Sequence, residues 1–236
     1  MSDAPIVSGP ERDPLYPPPP FDYSDYRRLG VLATATPEAL RAVLPAALEP
    51  VGEVFEVFFM DVLSVTGLRP YREAGVVVPC SYRGETGAHV AYEYVTTDDA
   101  LTVGREVWGY PKKLAEVELD HSDPQCVRAG CARLGTLMSA EFRPDEGAEV
   151  RYPELSPRFQ VRRSPGPADA NVAGTAMVRN VLPDAAVTHR VPGRASLTLK
   201  DGEGDRLAVL GPVEVVGAEF TRGRFVLDYG HVAGPA

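Results

Sequence analysis

Apolar positions along the chain recur at two spacings, one near two residues and one near three to four. A short apolar run at 29–35 and a longer Val- and Phe-rich run at 53–65 have the length and composition of buried strands. Runs at 73–82 and 88–96 read the same way, split by the turn signal Arg83-Gly-Glu-Thr-Gly87. Helical spacing appears twice. Thr36-Pro-Glu supplies an N-cap, a first-turn proline and an acid, and Leu40, Val43 and Leu44 follow until Pro45 ends the helix. The second helix spans 98–108, with acids at its start and apolar residues at 100, 103 and 107. Beyond it, strand-like runs at 113–120, 125–134, 138–142, 185–190, 195–199, 206–210, 213–217 and 224–228 alternate with Gly, Pro and Asp turns. The stretch 151–184 lacks a clear period and reads as irregular.

So many short strands at close spacing predict an α+β, mainly antiparallel β chain with a barrel-like or sandwich core and a few short helices. Residues 1–20, ending in four prolines, read as a flexible N-terminal arm, and 21–232 as a single domain. Composition narrows the function. A net charge of −9 argues against nucleic acid and anionic membranes as partners. Cys80, Cys126 and Cys131 are odd in number and widely spaced, which predicts free thiols and a reducing, cytoplasmic setting. His89, His121, His189 and His231 show no metal-ligand spacing. No apolar run reaches the length of a membrane span.

The chemistry concentrates in Gly104-Arg-Glu-Val-Trp-Gly-Tyr-Pro-Lys-Lys113. It is not a phosphate loop, because Gly109 is followed by Tyr-Pro rather than by lysine and a hydroxyl residue. Pro111 fixes its own φ and pushes Tyr110 toward extended backbone, so the helix stops there. The alternation that begins at the lysine pair sends one ammonium inward and the other outward. Burial, helped by the neighbouring cation, is expected to lower the inward lysine's pKa from its ordinary value of about 10.4. A drop of about four units corresponds to roughly 5 kcal/mol against the charged form and yields a nucleophilic amine.

This stretch resembles the signature of the acetoacetate decarboxylase family, whose lysine is a standard example of activation by a neighbouring cation. Tyr71-Arg-Glu-Ala-Gly-Val-Val-Val-Pro79, Pro192-Gly-Arg-Ala-Ser-Leu-Thr-Leu and Leu210-Gly-Pro-Val-Glu-Val-Val are similar to further family segments, and the likeness runs from about 20 to 231. The resemblance implies that Lys112 forms a Schiff base with a ketone, that Glu73 serves it, and that Tyr110 lines the pocket beside Lys113. Arg105 and Glu106 would hold the helix against the sheet. Family decarboxylases carry an arginine and a glutamate that engage the second lysine. A gap-free alignment puts Tyr26 and Phe58 at those positions, with Arg27, Arg28 and Glu56 close by.

The expected activity is that of a lyase which decarboxylates a β-keto acid, acetoacetate or a bulkier analogue, through a lysine iminium. The same iminium would serve an aldolase, dehydratase or cyclase acting on a keto acid in secondary metabolism. A reading of another class is a non-catalytic ligand-binding barrel. No metal or organic cofactor is implied. The partners expected are a small keto acid and further copies of the chain.

Overall fold

The computed structural model describes residues 13–163, 175–182 and 185–236. In chain order its elements are β1 (Phe21–Thr34), α1 (Pro37–Val43), β2 (Glu49–Pro50), β3 (Val54–Val65), β4 (Tyr71–Tyr82) and β5 (Glu85–Val95). There follow α2 (Asp98–Val103), a π-helical turn (Gly104–Trp108), β6 (Lys112–Leu114), β7 (Glu116–Asp123), β8 (Cys126–Ala132) and β9 (Thr136–Pro144). The chain ends with β10 (Arg158–Arg163), β11 (Thr175–Asn180), β12 (Ala186–Leu199), a 3₁₀ turn (Leu207–Leu210), β13 (Glu214–Leu227) and β14 (His231–Gly234). The predicted cap is present: Thr36 Oγ1 accepts the Ala39 N–H at 3.2 Å.

The strands form one large, mainly antiparallel sheet in the order β14-β11-β10-β5-β4-β3-β1-β13-β12-β9-β8-β7, with β2 on β4 and β6 parallel to β5. It folds over so that β7 packs across β3, β4 and β5. The predicted mainly antiparallel class with few short helices is the one observed, built as one large open sheet rather than a closed barrel. Two-residue alternation gives the central strands two buried faces. Leu29, Val31, Ala33, Phe55, Val57, Phe59, Ala74, Val76 and Val78 point into the main core, which Val117, Leu119, Val127 and Phe142 close from the far half of the sheet. The intervening residues Tyr26, Phe58, Met60, Tyr71 and Val77 point the other way, toward a second apolar cluster around Trp108. Both faces are buried, so these strands read as nearly continuous apolar runs.

Several expectations need correcting. The runs at 185–190 and 195–199 are one strand, β12, and Pro192-Gly193 marks where it changes partner from β13 to β9. The runs at 213–217 and 224–228 likewise join as β13, and 206–210 is largely the 3₁₀ turn with Leu207 and Leu210 buried. The stretch 151–184 contains β10 and β11, which pair with each other antiparallel. Of the proline-rich arm, 1–12 lie outside the described residues, and over 13–20 the chain is exposed except at Tyr16 and Pro19, which are buried. The Tyr16 hydroxyl donates to Glu106. Among the described residues no helix is long and apolar enough to cross a membrane.

The turn that delivers the lysine pair is built by a glycine. Gly109 has φ +84°, and both its N–H and that of Tyr110 bond back to the Gly104 carbonyl. A Cβ at Gly109 would lie 2.7 Å from the Arg162 backbone as well as in the left-handed region. Gly109→Ala is therefore expected to lower the melting temperature by roughly 5–10 °C in a chain of this size, measured by thermal denaturation. An unchanged melting temperature would show that this turn yields more readily than its geometry implies.

Candidate active site

The site grows from the register of β6 on β5, where Lys112 lies opposite Glu93 in a parallel pairing. Alternation then turns Lys112 toward the Trp108 face and Lys113 toward the opposite one. Gly104 makes room for it: a Cβ there would stand 2.5 Å from Lys112 Cδ. The Lys112 ammonium donates to Glu73 Oε2 at 2.5 Å and faces Glu93 Oε1 at 4.0 Å, all three side chains being buried. It also sits over the rings of Tyr71 and Tyr110, at 5.5 and 5.8 Å from their centroids. The Tyr110 hydroxyl accepts from Asn180 Nδ2 at 3.2 Å, and the Tyr71 and Tyr23 hydroxyls share a hydrogen bond of 3.1 Å.

The electrostatics differ from the expectation of a depressed lysine. Burial does work against the Lys112 charge, but the Glu73 and Glu93 carboxylates outweigh it and hold the amine's pKa above the ordinary lysine value. Lys113 supplies no repulsion, because it turns away to donate to Asp205 Oδ1 at 2.5 Å and to the Gly204 carbonyl at 2.7 Å. Asp205 also receives Tyr94 at 2.8 Å and Arg133 at 3.1 Å. Glu93 carries the complementary shift. Burial, reinforced by Glu73 and only partly offset by Lys112, pushes its carboxyl up to about 8.

These groups line a cavity of about 470 Å³ that extends across β3 and β1 to β13. Its second pole is Arg28 and Glu56, which pair at 2.7 Å, with the guanidinium over the Phe58 ring at 4.9 Å. Tyr152 comes down over Gly30, where a Cβ would lie 2.3 Å from its hydroxyl, 2.9 Å from Glu56 Oε1 and 3.0 Å from Arg28 Nη1. Glu219, the β13 partner of Gly30, pairs with Arg190 at 2.9 Å. Phe58, Met60, Val77, Val90, Phe225 and Leu227 supply apolar wall between and beside the poles.

The structure therefore brings Lys112, Glu73, Tyr110, Tyr26 and Phe58 to one cavity together with Arg28 and Glu56, and leaves Arg27, Lys113, Arg105 and Glu106 outside it. Arg27 points to the opposite side and bonds His121 Nε2 at 2.7 Å, because it alternates with Arg28. Lys113 is turned away by the same alternation. Arg105 donates to the Lys112 carbonyl at 3.0 Å, and Glu106 takes the Tyr16 hydroxyl on its carboxylate and Arg162 on its carbonyl, so both brace the motif. Arg28 and Glu56 pair with each other in the cavity, each two residues from the gap-free positions and hence on the same strand face, while Lys113, the expected partner of such a pair, is held by Asp205 instead. Glu93, Tyr152, Arg158 and Glu219 also line the cavity but escaped the sequence reading. Glu93 had a signal, a carboxylate inside an otherwise apolar run; Arg158 lay in a stretch read as irregular. Among the described residues, no cluster of three or more His, Cys, Asp or Glu is placed to hold a metal ion.

Comparison with known proteins identifies the family and the fold. The chain is 28% identical over 229 residues to acetoacetate decarboxylase 3 of Mesorhizobium japonicum, covering 94% of this chain and 88% of that one. It is 29% identical over 233 residues to the acetoacetate decarboxylase of Burkholderia vietnamiensis, covering 94% and 92%. In fold it is similar to acetoacetate decarboxylase from Legionella pneumophila, with TM-score 0.85, 22% identity and coverage of 97% and 92%. It is also similar to the enduracididine biosynthesis enzyme MppR, with TM-score 0.84, 18% identity and coverage of 99% and 98%. The family profile described as Acetoacetate decarboxylase (ADC) matches residues 3–234, and the chain belongs to the acetoacetate decarboxylase family.

Proposed function

We propose that this chain is a Schiff-base lyase that decarboxylates a β-keto acid bulkier than acetoacetate, with Lys112 as its nucleophile. The observation that carries the reading is a buried amine set between two carboxylates in a cavity of about 470 Å³. Pockets of that size accept drug-sized ligands, well beyond what acetoacetate fills. Each methylene that a longer substrate buries against the apolar wall adds about 0.8 kcal/mol.

Lys112 rests as an ammonium and must first shed a proton, and Glu73 at 2.5 Å is the nearest acceptor. Substrate entry dries the cavity, which favours a neutral amine and carboxylic acid over an ion pair. The amine nitrogen then attacks the ketone carbon, and the carbonyl oxygen takes up two protons and leaves as water. In the resulting iminium, the bond to the carboxylate breaks and its electron pair moves to nitrogen, releasing carbon dioxide and leaving an enamine. Glu93, still protonated near neutrality, then returns a proton to the enamine carbon. Hydrolysis of the new iminium frees Lys112.

Two outcomes follow. Borohydride is expected to reduce the Schiff base of a keto substrate, or of its decarboxylated product, to a stable secondary amine on Lys112 alone, and Lys112→Ala to abolish turnover. That variant leaves Glu73 and Glu93 without their cation. Its melting temperature should therefore fall well below the native value at pH 8, where unpaired buried carboxylates are costly, and approach it at pH 5, where they can be protonated. Peptide mapping that finds the label at Lys113, or a variant equally stable at both pH values, contradicts the assignment.

Glu93 also sets a pH limit. A carboxyl raised to about 8 is protonated below that value, so turnover should hold through neutrality and decline as pH rises through about 8. Glu93→Gln should lower kcat and remove that limb from the pH profile. A limb that survives the substitution assigns the proton to another group.

A further inference from the structure

Three guanidinium groups line the cavity, and two are already neutralised. Arg28 is paired with Glu56 and Arg190 with Glu219. The third, Arg158 at the start of β10, is not. Among the described residues no carboxylate lies within ion-pair distance of it, and its one hydrogen bond runs from Nη1 to the Leu155 carbonyl. Arg158 lines the same cavity as Glu93 and Tyr110 of one pole and Arg28 and Glu56 of the other. Burial is the largest influence on it and works against its charge, lowering its pKa from the ordinary arginine value. A desolvated guanidinium with donors to spare is built to receive an anion, most favourably a carboxylate in a two-pronged pairing.

That anion is not the carboxylate lost in the reaction. A guanidinium bonded to the departing group would stabilise a charge that fades as carbon dioxide forms, so it would favour the ground state over the transition state. We propose that Arg158 binds a second carboxylate, and that the substrate is a β-keto acid with an acidic group on the chain remote from the carboxylate that leaves. This rests on the assignment of Lys112 as the nucleophile, and it names the substrate class that assignment left open. The apolar wall suits the methylene chain that joins the ketone to the distal acid.

The test uses the full chain and a matched pair of 3-oxo acids of equal length, one ending in a carboxylate and one in the neutral amide. Carbon dioxide release is expected to favour the acid-ended compound in kcat/KM by at least about tenfold, the lower end of the scale of hydrogen bonds to a charged group. Arg158→Gln should erase that preference, and Arg158→Lys should restore part of it. Equal turnover of acid and amide by the native chain overturns the role of Arg158 while leaving the lysine chemistry intact. A calorimetric arm removes the dependence on that chemistry, because the saturated acid and amide carry no ketone. Tighter binding of the acid, lost in Arg158→Gln, supports the subsite, and equal binding overturns it. Failure of every ketone to react, alongside acid-selective calorimetry, contradicts the Lys112 reading and keeps the subsite.

Discussion

One ammonium and two carboxylates, all withdrawn from water, set the terms for the rest of the cavity. Lys112 is there because β6 pairs in register with β5, because Pro111 stops the preceding turn, and because Gly104 leaves room for its methylenes. Glu73 and Glu93 are there because β4 and β5 present the same face. A lysine buried alone would lose its proton. Buried with two carboxylates it keeps that proton, and one of the carboxylates keeps a proton of its own up to about pH 8. The cluster is thus a reserve of protons beside a latent nucleophile, and the chemistry proposed for it consists largely of redistributing them.

Charge elsewhere in the cavity is arranged by pairing. Arg28 with Glu56 and Arg190 with Glu219 cancel in twos, so the far pole is polar without being strongly charged. Outside the cavity, Asp205 gathers Lys113 and Arg133, which keeps the second lysine of the motif from repelling the first. The adjacent lysines therefore have separate duties: Lys112 faces the cavity, and Lys113 fastens the loop around Gly204. Against this background Arg158 stands out as a cation without a counter-charge among the described residues.

The local parts of this arrangement were legible in the sequence. Thr36 and Pro37 announce their helix, Tyr110-Pro111 ends the next, and alternation separates Lys112 from Lys113 without any knowledge of neighbours. The same alternation places Arg28 in the cavity and Arg27 outside it, once the register of β1 is known. That register is set by pairing with β3 and β13, one of them distant in the chain, and no local pattern encodes it. The direction of the Lys112 shift was misread for a related reason. Burial and the adjacent Lys113 are all that the local sequence offers, whereas the charges nearest Lys112 arrive from β4 and β5. The same limit hid β10 and β11, whose pairing with each other and with strands far away in the chain defines them more than their composition does.

The chain contains three lysines, Lys112, Lys113 and Lys200, so the side-chain amines can be followed individually. Nitrogen-15 NMR of protein labelled at the lysine Nζ, with Lys113→Arg and Lys200→Arg variants for assignment, reads the bonding state of each nitrogen directly. Addition of a keto acid is predicted to move the Lys112 signal from the ammonium region to that of an imine or enamine nitrogen, with Lys113 and Lys200 unchanged. Three ammonium signals that persist under saturating keto acid, or a shift confined to Lys113, would contradict the account.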